Sequence, residues 1–234
     1  MPRRAIDLAL ARRQHAAYEQ ALREAGCEVL QLAEQPDRPD SVFVEDTAIV
    51  LGEVAVIARP GAASRRDEVE TIAPVLATFR ELVRIEAPAT LDGGDVLSLG
   101  RTLYVGTSAR SNAEGITQLS GLLAPFGYRV AAVPLRACLH LKSAVTQIAP
   151  DLLLLNPDWV DAKCFPGLRV VAIDPSEPHA ANALRIGDAV IHPASCPRTR
   201  DILQRAGIDV RSVDMSETEK AEGGVTCCSL VFER

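Results

Sequence analysis

The sequence repeats one pattern of elements at a nearly constant interval. Apolar runs open at residues 42, 91, 140, 182 and 225, and the first four are each predicted to be followed by a second strand, a helix and a third strand. The spacings between these openings are 49, 49, 42 and 43 residues. Such a period is typical of architectures built from copies of one supersecondary unit. Propellers of the WD type have a similar period but no helix in their blades, so the sequence predicts an α/β fold of five repeats around a pseudo-fivefold axis.

The opening of each repeat would face the centre of this ring. Asp46, Asp92, His140 and Cys227 lie at corresponding places in four different repeats. Equivalent positions of ring-related repeats converge on the axis, so we expect these four side chains to meet in one central channel.

The last opening contains two adjacent cysteines, Cys227 and Cys228, soon after Gly223 and Gly224. Neighbouring residues of a strand point to opposite faces, so one thiol can face a site while the other packs into the core. The glycines allow a positive φ or a close approach of the backbone to a ligand. Taken alone, such a cysteine pair is more often a pair of small apolar side chains in a buried strand.

Local patterns predict the first elements of the chain. Residues 5–25 have helical spacing and end at Gly26, and residues 27–32 are expected to form a strand. Ser64 with Asp67 three residues later resembles a capping box, which predicts a helix from there to about residue 81.

Residues 40–50 form a strand-like run with Glu45 and Asp46 in its middle. Carboxylates are costly to bury without a partner, so their presence in an apolar run indicates a site. Paired carboxylates would repel the charge that develops on an ester substrate, but they suit a guanidinium, which offers several N–H donors in a fixed fork.

A cysteine and a histidine beside these carboxylates suit covalent attack on a cationic, planar carbon. A thiolate at Cys227 is the expected nucleophile. His140 can protonate a leaving amine and then activate water, because its ordinary pKa lies near working pH. Arg65 and Arg110, which follow strands, could bind a carboxylate at the far end of the substrate.

Each of these residues also has an ordinary structural explanation. His140 could be a core histidine, Asp92 a turn aspartate before two glycines, and Glu45 with Asp46 a charge pair on an edge strand. The coincidence of four such residues in register across repeats of one period favours a shared site.

Composition excludes several classes of function. The chain has 234 residues, a net charge of −6 and 47% hydrophobic residues, which is ordinary for one globular domain or two small ones. The acidic charge and the lack of a Lys/Arg run argue against nucleic acid as a partner. No segment is long and apolar enough for a signal peptide or a membrane span. The six cysteines lack zinc-ligand spacing, and a core of this size needs no disulfides, so we expect a reducing, cytoplasmic location and no metal.

Five separated segments give the chain a family resemblance. DSVFVEDTA, RPGAASRR, LDGGDVL, HLKS and TCCSLVF resemble the dimethylarginine dimethylaminohydrolases of the pentein, or guanidine-modifying, superfamily, from about residue 15 to the end. The resemblance implies a five-bladed α/β propeller. It also implies hydrolysis of Nω-methylated arginines to citrulline and methylamines, with a small-molecule substrate and no cofactor.

The resemblance also implies a role for individual residues. Cys227 matches the nucleophile, His140 the general acid and base, and Asp92 the carboxylate that completes the triad. The implied substrate-binding residues are Asp46 with Glu45 for the guanidinium, Phe43 for the pocket wall, Asp40 for the α-amino group, Arg65 and Arg110 for the α-carboxylate, and the carbonyl of Ala221 for the guanidinium end.

The sequence departs from the family at its start. Family members usually begin with a strand and a flexible loop that covers the substrate, whereas this chain begins almost at the following helix. We therefore expect a single catalytic domain, residues 1–234, without that strand and lid, and with poorer exclusion of water. A shortened chain, a covering second chain and altered activity are the three explanations.

Two other functions compete with methylarginine hydrolysis. Arginine deiminase or amidinotransferase chemistry would use the same kind of site, and a non-catalytic pentein-like binding protein could share the fold. The intact set of Cys227, His140 and Asp92 argues against the second. The sequence leaves open a homodimer, the preferred methylation state and the role of Cys228.

Overall fold

The computed structural model describes residues 5–234; positions 1–4, which begin the basic N-terminal stretch, lie outside the described residues. Two compact units can be separated. Residues 5–31 and 143–226 form the first unit, and residues 32–142 and 227–234 form the second. No helix in residues 5–234 is both long enough and apolar enough to cross a membrane.

Four three-stranded sheets share one topology. In each sheet the first two strands form an antiparallel hairpin, and the third strand runs parallel to the second, which is central. The strands are β1 (Ala48–Val50), β2 (Val54–Ile57), β3 (Glu81–Arg84), β4 (Val96–Leu99), β5 (Thr102–Thr107), β6 (Arg129–Pro134), β7 (Val145–Ala149), β8 (Leu152–Leu155), β9 (Arg169–Ala172), β10 (Leu184–Ile186), β11 (Ala189–Pro193) and β12 (Asp209–Val213).

Helices connect the second and third strands of three of these sheets. All the α-helices of residues 5–234, connecting or not, are α1 (Leu8–Glu24), α2 (Val69–Leu76), α3 (Ala113–Leu123), α4 (Leu141–Ala144), α5 (Pro197–Arg205) and α6 (Ser216–Glu219). The predicted order of strand, strand, helix and strand is thus found with α2, α3 and α5. In the third sheet a 3₁₀ turn, Ala162–Cys164, takes the place of the helix. The protein has an α/β fold with four copies of one motif among its described residues.

Three of the four central strands are buried along their whole length. Every residue of β2, β8 and β11 is buried, as expected for strands that are paired on both edges and covered by apolar side chains. In the second unit, α3 covers the β4–β6 sheet, and Leu119 and Leu123 are fully buried against Leu103 and Val105. Truncating one such leucine to alanine typically costs about 2–5 kcal/mol.

The first helix agrees with the sequence, and the second does not. Asp7 caps α1 by accepting a hydrogen bond from the N–H of Leu10, which starts the helix at Leu8. The predicted capping box at Ser64 is wrong. Residues Ala63–Glu68 form a 3₁₀ helix without a side-chain cap, and α2 follows it only from Val69 to Leu76. The tighter 3₁₀ turn directs two charged side chains of this segment, Arg65 and Glu68, into the interior.

Three predicted strands are also different in the structure. The run at residues 40–50 is broken by a 3₁₀ helix, Val44–Thr47, before β1, because its two carboxylates turn inward to partners. The segments 27–32 and 225–232 belong to no sheet among the described residues. A strand needs a ladder partner, and pairing is not determined by local pattern alone.

Candidate active site

The site lies in the second unit, where the first strand of each repeat begins. The 3₁₀ helix Val44–Thr47 precedes β1, a 3₁₀ turn Gly93–Asp95 precedes β4, and α4 begins immediately after His140. These tight turns replace the predicted strand openings. They present short polar side chains at the strand starts, where the register of the repeats had predicted them.

His140 is held by a fully buried carboxylate. Its Nε2 lies 3.0 Å from Oδ2 of Asp92, whose side chain has no exposed surface. The other oxygen, Oδ1, accepts a hydrogen bond of 2.8 Å from the N–H of Gly61, and the N–H of Asp92 donates to Oγ of Ser111 at 3.1 Å. Asp92 is therefore fixed on both sides, and it fixes one nitrogen of the imidazole.

A second carboxylate faces the other nitrogen of the same ring. Oδ1 of Asp46 lies 3.8 Å from Nδ1 of His140 and accepts a hydrogen bond from the N–H of Gly94 at 3.1 Å. Burial alone would raise the pKa of Asp46, but the charges of His140 and Arg65 and hydrogen bonds to Arg65 and Gly94 lower it. Asp46 is an ionised carboxylate at neutral pH.

These carboxylates keep His140 protonated. Burial would lower its pKa, but the charge of Asp46, the hydrogen bond to Asp92 and the charges of Asp95 and Asp92 raise the pKa to about 9. At neutral pH the ring is an imidazolium that can donate a proton from Nδ1, because Nε2 is occupied by Asp92.

The two glycines of the LDGGD segment let the turns approach this closely. A Cβ on Gly93 would lie 2.0 Å from the carbonyl oxygen of Glu45. A Cβ on Gly94 would lie 2.6 Å from Oδ1 of Asp46 and 2.9 Å from Nδ1 of His140. All three distances are shorter than real Cβ contacts, so only glycine permits this packing.

Arg65 is buried, and its donors are directed to protein acceptors. Its Nη1 pairs with Oδ2 of Asp46 at 2.5 Å, while Nε and Nη2 donate to Oε2 of Glu68 at 3.0 and 2.8 Å. Nη2 also donates to the carbonyls of Asp40 and Phe43. Arg65 thus holds Asp46 and the preceding segment in place. Its predicted contact with a substrate carboxylate stays a prediction.

Glu45 is paired with Lys142, which the sequence pattern does not mark as a site residue. Nζ of Lys142 lies 2.6 Å from Oε1 of the buried Glu45. Lys142 is the third residue of HLKS, so its place two residues after His140 was the available signal. The pair supplies the buried carboxylate with the partner that its location requires.

Arg110 has an unused donor beside the site. Its side chain is 27% exposed, and Nη1 lies 3.7 Å from Oδ2 of Asp92. Within residues 5–234 this buried Nη1 has no hydrogen-bond partner. Buried donors are nearly always paired in native proteins, so this nitrogen is a candidate for contact with a ligand.

The two adjacent cysteines have different surroundings. Cys227 is partly exposed, and its carbonyl accepts a hydrogen bond of 3.1 Å from the N–H of Glu45. Cys228 is buried, and burial together with the charges of Glu45 and Asp46 raises its pKa to about 12. Cys228 is therefore a thiol at neutral pH, and its properties fit packing.

The remaining predicted residues lie as follows. Asp40 is exposed, and its carbonyl accepts a hydrogen bond from the N–H of the buried Phe43. Ala221 is an exposed residue of the first unit whose N–H donates to the carbonyl of Thr218.

Of the four residues that the register predicted to meet, Asp46, Asp92 and His140 are brought together. The meeting of Cys227 with these three stays a prediction. The ligand atoms of Asp46, Asp92 and His140 all lie within 4.8 Å of one another, a spacing that would also allow a cation to bind. Hydrogen bonds and ion pairs among these residues and their partners account for the closeness. The arrangement can bind a cationic group and exchange a proton with it.

Comparisons with known proteins agree with this geometry. Residues 3–164 match the family model described as N,N dimethylarginine dimethylhydrolase, eukaryotic. The chain is 40% identical over 228 residues to the N(G),N(G)-dimethylarginine dimethylaminohydrolase of Pseudomonas aeruginosa, covering 97% of this chain and 90% of that protein. It is 42% identical over 230 residues to the enzyme of the same name from Streptomyces coelicolor, covering 97% and 88%.

A solved structure supports the same assignment. A cysteine-to-serine mutant of the Pseudomonas aeruginosa enzyme complexed with citrulline matches with a TM-score of 0.94 and 39% identity, covering 97% of this chain and 90% of that chain. Since sequence and fold agree over nearly the whole length of both proteins, the chain belongs to the dimethylarginine dimethylaminohydrolase family.

Proposed function

We propose that the protein hydrolyses Nω-methylated L-arginine, both the asymmetric dimethyl and the monomethyl form, to L-citrulline and dimethylamine or methylamine. The observation that supports this most directly is the imidazolium of His140 held between two buried carboxylates, Asp92 and Asp46. The protein is a hydrolase of C–N bonds in linear amidines, as its relatives named dimethylarginine dimethylaminohydrolase are.

The substrate would bind by charge complementarity at both ends. Its planar guanidinium cation matches the carboxylates of Asp46 and Glu45. Nη1 of Arg110 has no hydrogen-bond partner among residues 5–234, which supports a contact with the α-carboxylate, a role also assigned to Arg65 by the resemblance. Phe43 would form a wall of the pocket. Asp40 would bind the α-amino group, and the carbonyl of Ala221 would line the guanidinium end.

The first chemical step would be attack of the Cys227 sulfur on the guanidinium carbon. A C–S bond forms, and His140 donates its proton from Nδ1 to the leaving methylamine nitrogen as the C–N bond breaks. The product is a covalent S-alkylthiouronium on Cys227. A pKa of about 9 keeps His140 charged at neutral pH, as the acid of this step requires.

The second step would use the same histidine as a base. Neutral His140 takes a proton from water, the oxygen attacks the thiouronium carbon, and the C–S bond breaks. The second proton of this water passes to solvent as the carbonyl of citrulline forms, which releases citrulline and restores the thiolate and the imidazolium. Asp92 stabilises the charged ring in both steps through Nε2. These two steps of bond formation and cleavage need neither a cofactor nor a metal.

The wider organisation is also part of the proposal. We infer that the repeats form a five-bladed α/β propeller within one catalytic domain; four sheets of identical topology support this. A cytoplasmic location is supported by six cysteines that form no disulfide within residues 5–234. A homodimer, which the sequence left open, can be tested by light scattering.

The test is citrulline release by the purified protein from asymmetric dimethylarginine and from arginine, measured side by side. We expect release from the methylated substrate. Cys227→Ser should abolish turnover and leave the fold intact. Cys228→Ser is the matched control, because it changes an adjacent thiol that is buried, and it should retain most of the activity.

Each alternative has its own outcome. Release mainly from arginine would replace the proposal with a deiminase. Release from neither substrate by a folded protein would favour a binding protein. Equal loss in both serine variants would contradict the assignment of Cys227 as the nucleophile.

A further inference from the structure

Asp95, the second aspartate of the LDGGD segment, takes no part in the catalytic steps proposed above. Its side chain is completely buried. Oδ2 accepts hydrogen bonds from the hydroxyls of Ser108 at 2.5 Å and Ser111 at 2.7 Å, and Oδ1 accepts one from the N–H of Leu141 at 3.0 Å. One carboxylate thus receives three donors from two other segments.

Each of these donors is directly connected to a residue of the site. Leu141 follows His140 in the chain. The hydroxyl oxygen of Ser111 accepts the N–H of Asp92 at 3.1 Å. The hydroxyl oxygen of Ser108 accepts the N–H of Arg110 at 3.0 Å. Asp95 is therefore linked to the backbone of Asp92 and of Arg110 through one serine hydroxyl each. It is linked to the backbone of His140 through the adjacent residue, Leu141.

We propose that Asp95 is a positioning residue that holds His140, Asp92 and Arg110 in one arrangement. The inference rests on the proposed function, since it concerns residues that would bind and convert the methylarginine. Asp95 has no exposed surface, so it acts through the other residues and does not touch substrate.

The hydrogen-bond inventory explains why an aspartate is needed. Ser108 Oγ already accepts two backbone N–H groups, from Arg110 and Ser111, so its remaining capacity is its own proton, which must be donated. Leu141 N–H can only donate. Both oxygens of residue 95 must therefore be acceptors. An asparagine would place an NH₂ group against one of these donors.

The experiment compares Asp95→Asn with the wild type, with Asp161→Asn as matched control. Asp161 is an exposed aspartate of the first unit that likewise accepts a backbone N–H, from Lys163. We expect Asp95→Asn to keep the circular dichroism of the wild type and to lose about 10²-fold in kcat/KM, as displaced catalytic groups do. Asp161→Asn should retain wild-type kinetics.

A measurement without substrate separates this inference from the proposed function. The pKa of His140, followed by NMR of ¹³C-labelled histidine, should fall in Asp95→Asn, because a neighbouring charge is lost. If the wild type released no citrulline, the proposed function would fail, yet this comparison would still test Asp95. An unchanged pKa of His140, or wild-type kcat/KM in Asp95→Asn, would overturn the inference.

A second variant covers the case in which Asp95→Asn does not fold. Ser108→Ala keeps the charge of Asp95 and its bond to Leu141, but removes the link to Arg110. We expect KM to rise while kcat and the pKa of His140 change little. Unchanged KM in a folded Ser108→Ala protein would refute the link between Asp95 and Arg110.

Discussion

Replacing Asp92 by asparagine should lower the pKa of His140 without unfolding the protein. In the wild type this pKa is about 9, compared with 6.5 for an ordinary histidine. The difference corresponds to about 3 kcal/mol in favour of the imidazolium. Hydrogen bonds to charged groups are worth about 1.5–3 kcal/mol, so loss of the charged partner at 3.0 Å should lower the pKa by about one to two.

Histidine NMR measures this change directly. The sequence has four histidines, so one substitution at position 140 assigns the resonance in ¹³C-histidine-labelled protein. Titration of the Cε1–H signal should give a value near 9 for the wild type and between about 7 and 8 for Asp92→Asn. A wild-type value near 6.5, or equal values in both proteins, would refute the electrostatic account of His140.

The same interaction should make stability depend on pH. Because the pKa of His140 is raised on folding, its stabilisation is complete below about pH 6.5 and is lost as pH rises through about 9. The free energy of unfolding of the wild type should thus fall by up to about 3 kcal/mol across this window, and that of Asp92→Asn by less. Urea denaturation at pH 6.5 and 9.5 would measure both.

Two further changes test the packing and the chemistry. Gly94→Ala should lower kcat/KM about 10²-fold, because the added Cβ would displace Asp46 and His140. In the control Gly121→Ala the added Cβ meets nothing within 4 Å, so this variant should retain activity and gain about 0.5–1 kcal/mol of stability. Equal activity in both would contradict the close packing. Treatment with EDTA followed by desalting should leave citrulline release unchanged, and a loss restored by a divalent cation would contradict the metal-free mechanism.

Regular elements were predictable where the local sequence determines them. A short apolar run between turns predicts a strand, and the four leucines of β8 form one at Leu152–Leu155. The segment 27–32 has the same kind of pattern but belongs to no sheet among the described residues. Its conformation depends on a ladder partner, which local pattern does not reveal.

The sequence predicted residues that meet at the candidate site, but not the residues that hold them in place. Register across the repeats predicted that Asp46, Asp92, His140 and Cys227 would meet, and the first three do. The contacts of Lys142 and Asp95 could not be read from the sequence, because an ion pair or a buried hydrogen bond depends on three-dimensional distance. Both residues lie inside segments that carry the family resemblance, HLKS and LDGGDVL, where a charge close to a predicted site residue was the only signal.

The pair of Lys142 and Glu45 gives the resting enzyme a resident counter-ion at the point where a guanidinium would bind. If the guanidinium binds Glu45 as proposed, binding of substrate exchanges one cation for another, and affinity reflects only the difference between them. Citrulline has a neutral ureido group in place of the cation. It cannot compete with the lysine for the carboxylate, and we expect the ammonium of Lys142 to return to Glu45 and favour release of the product after each turnover.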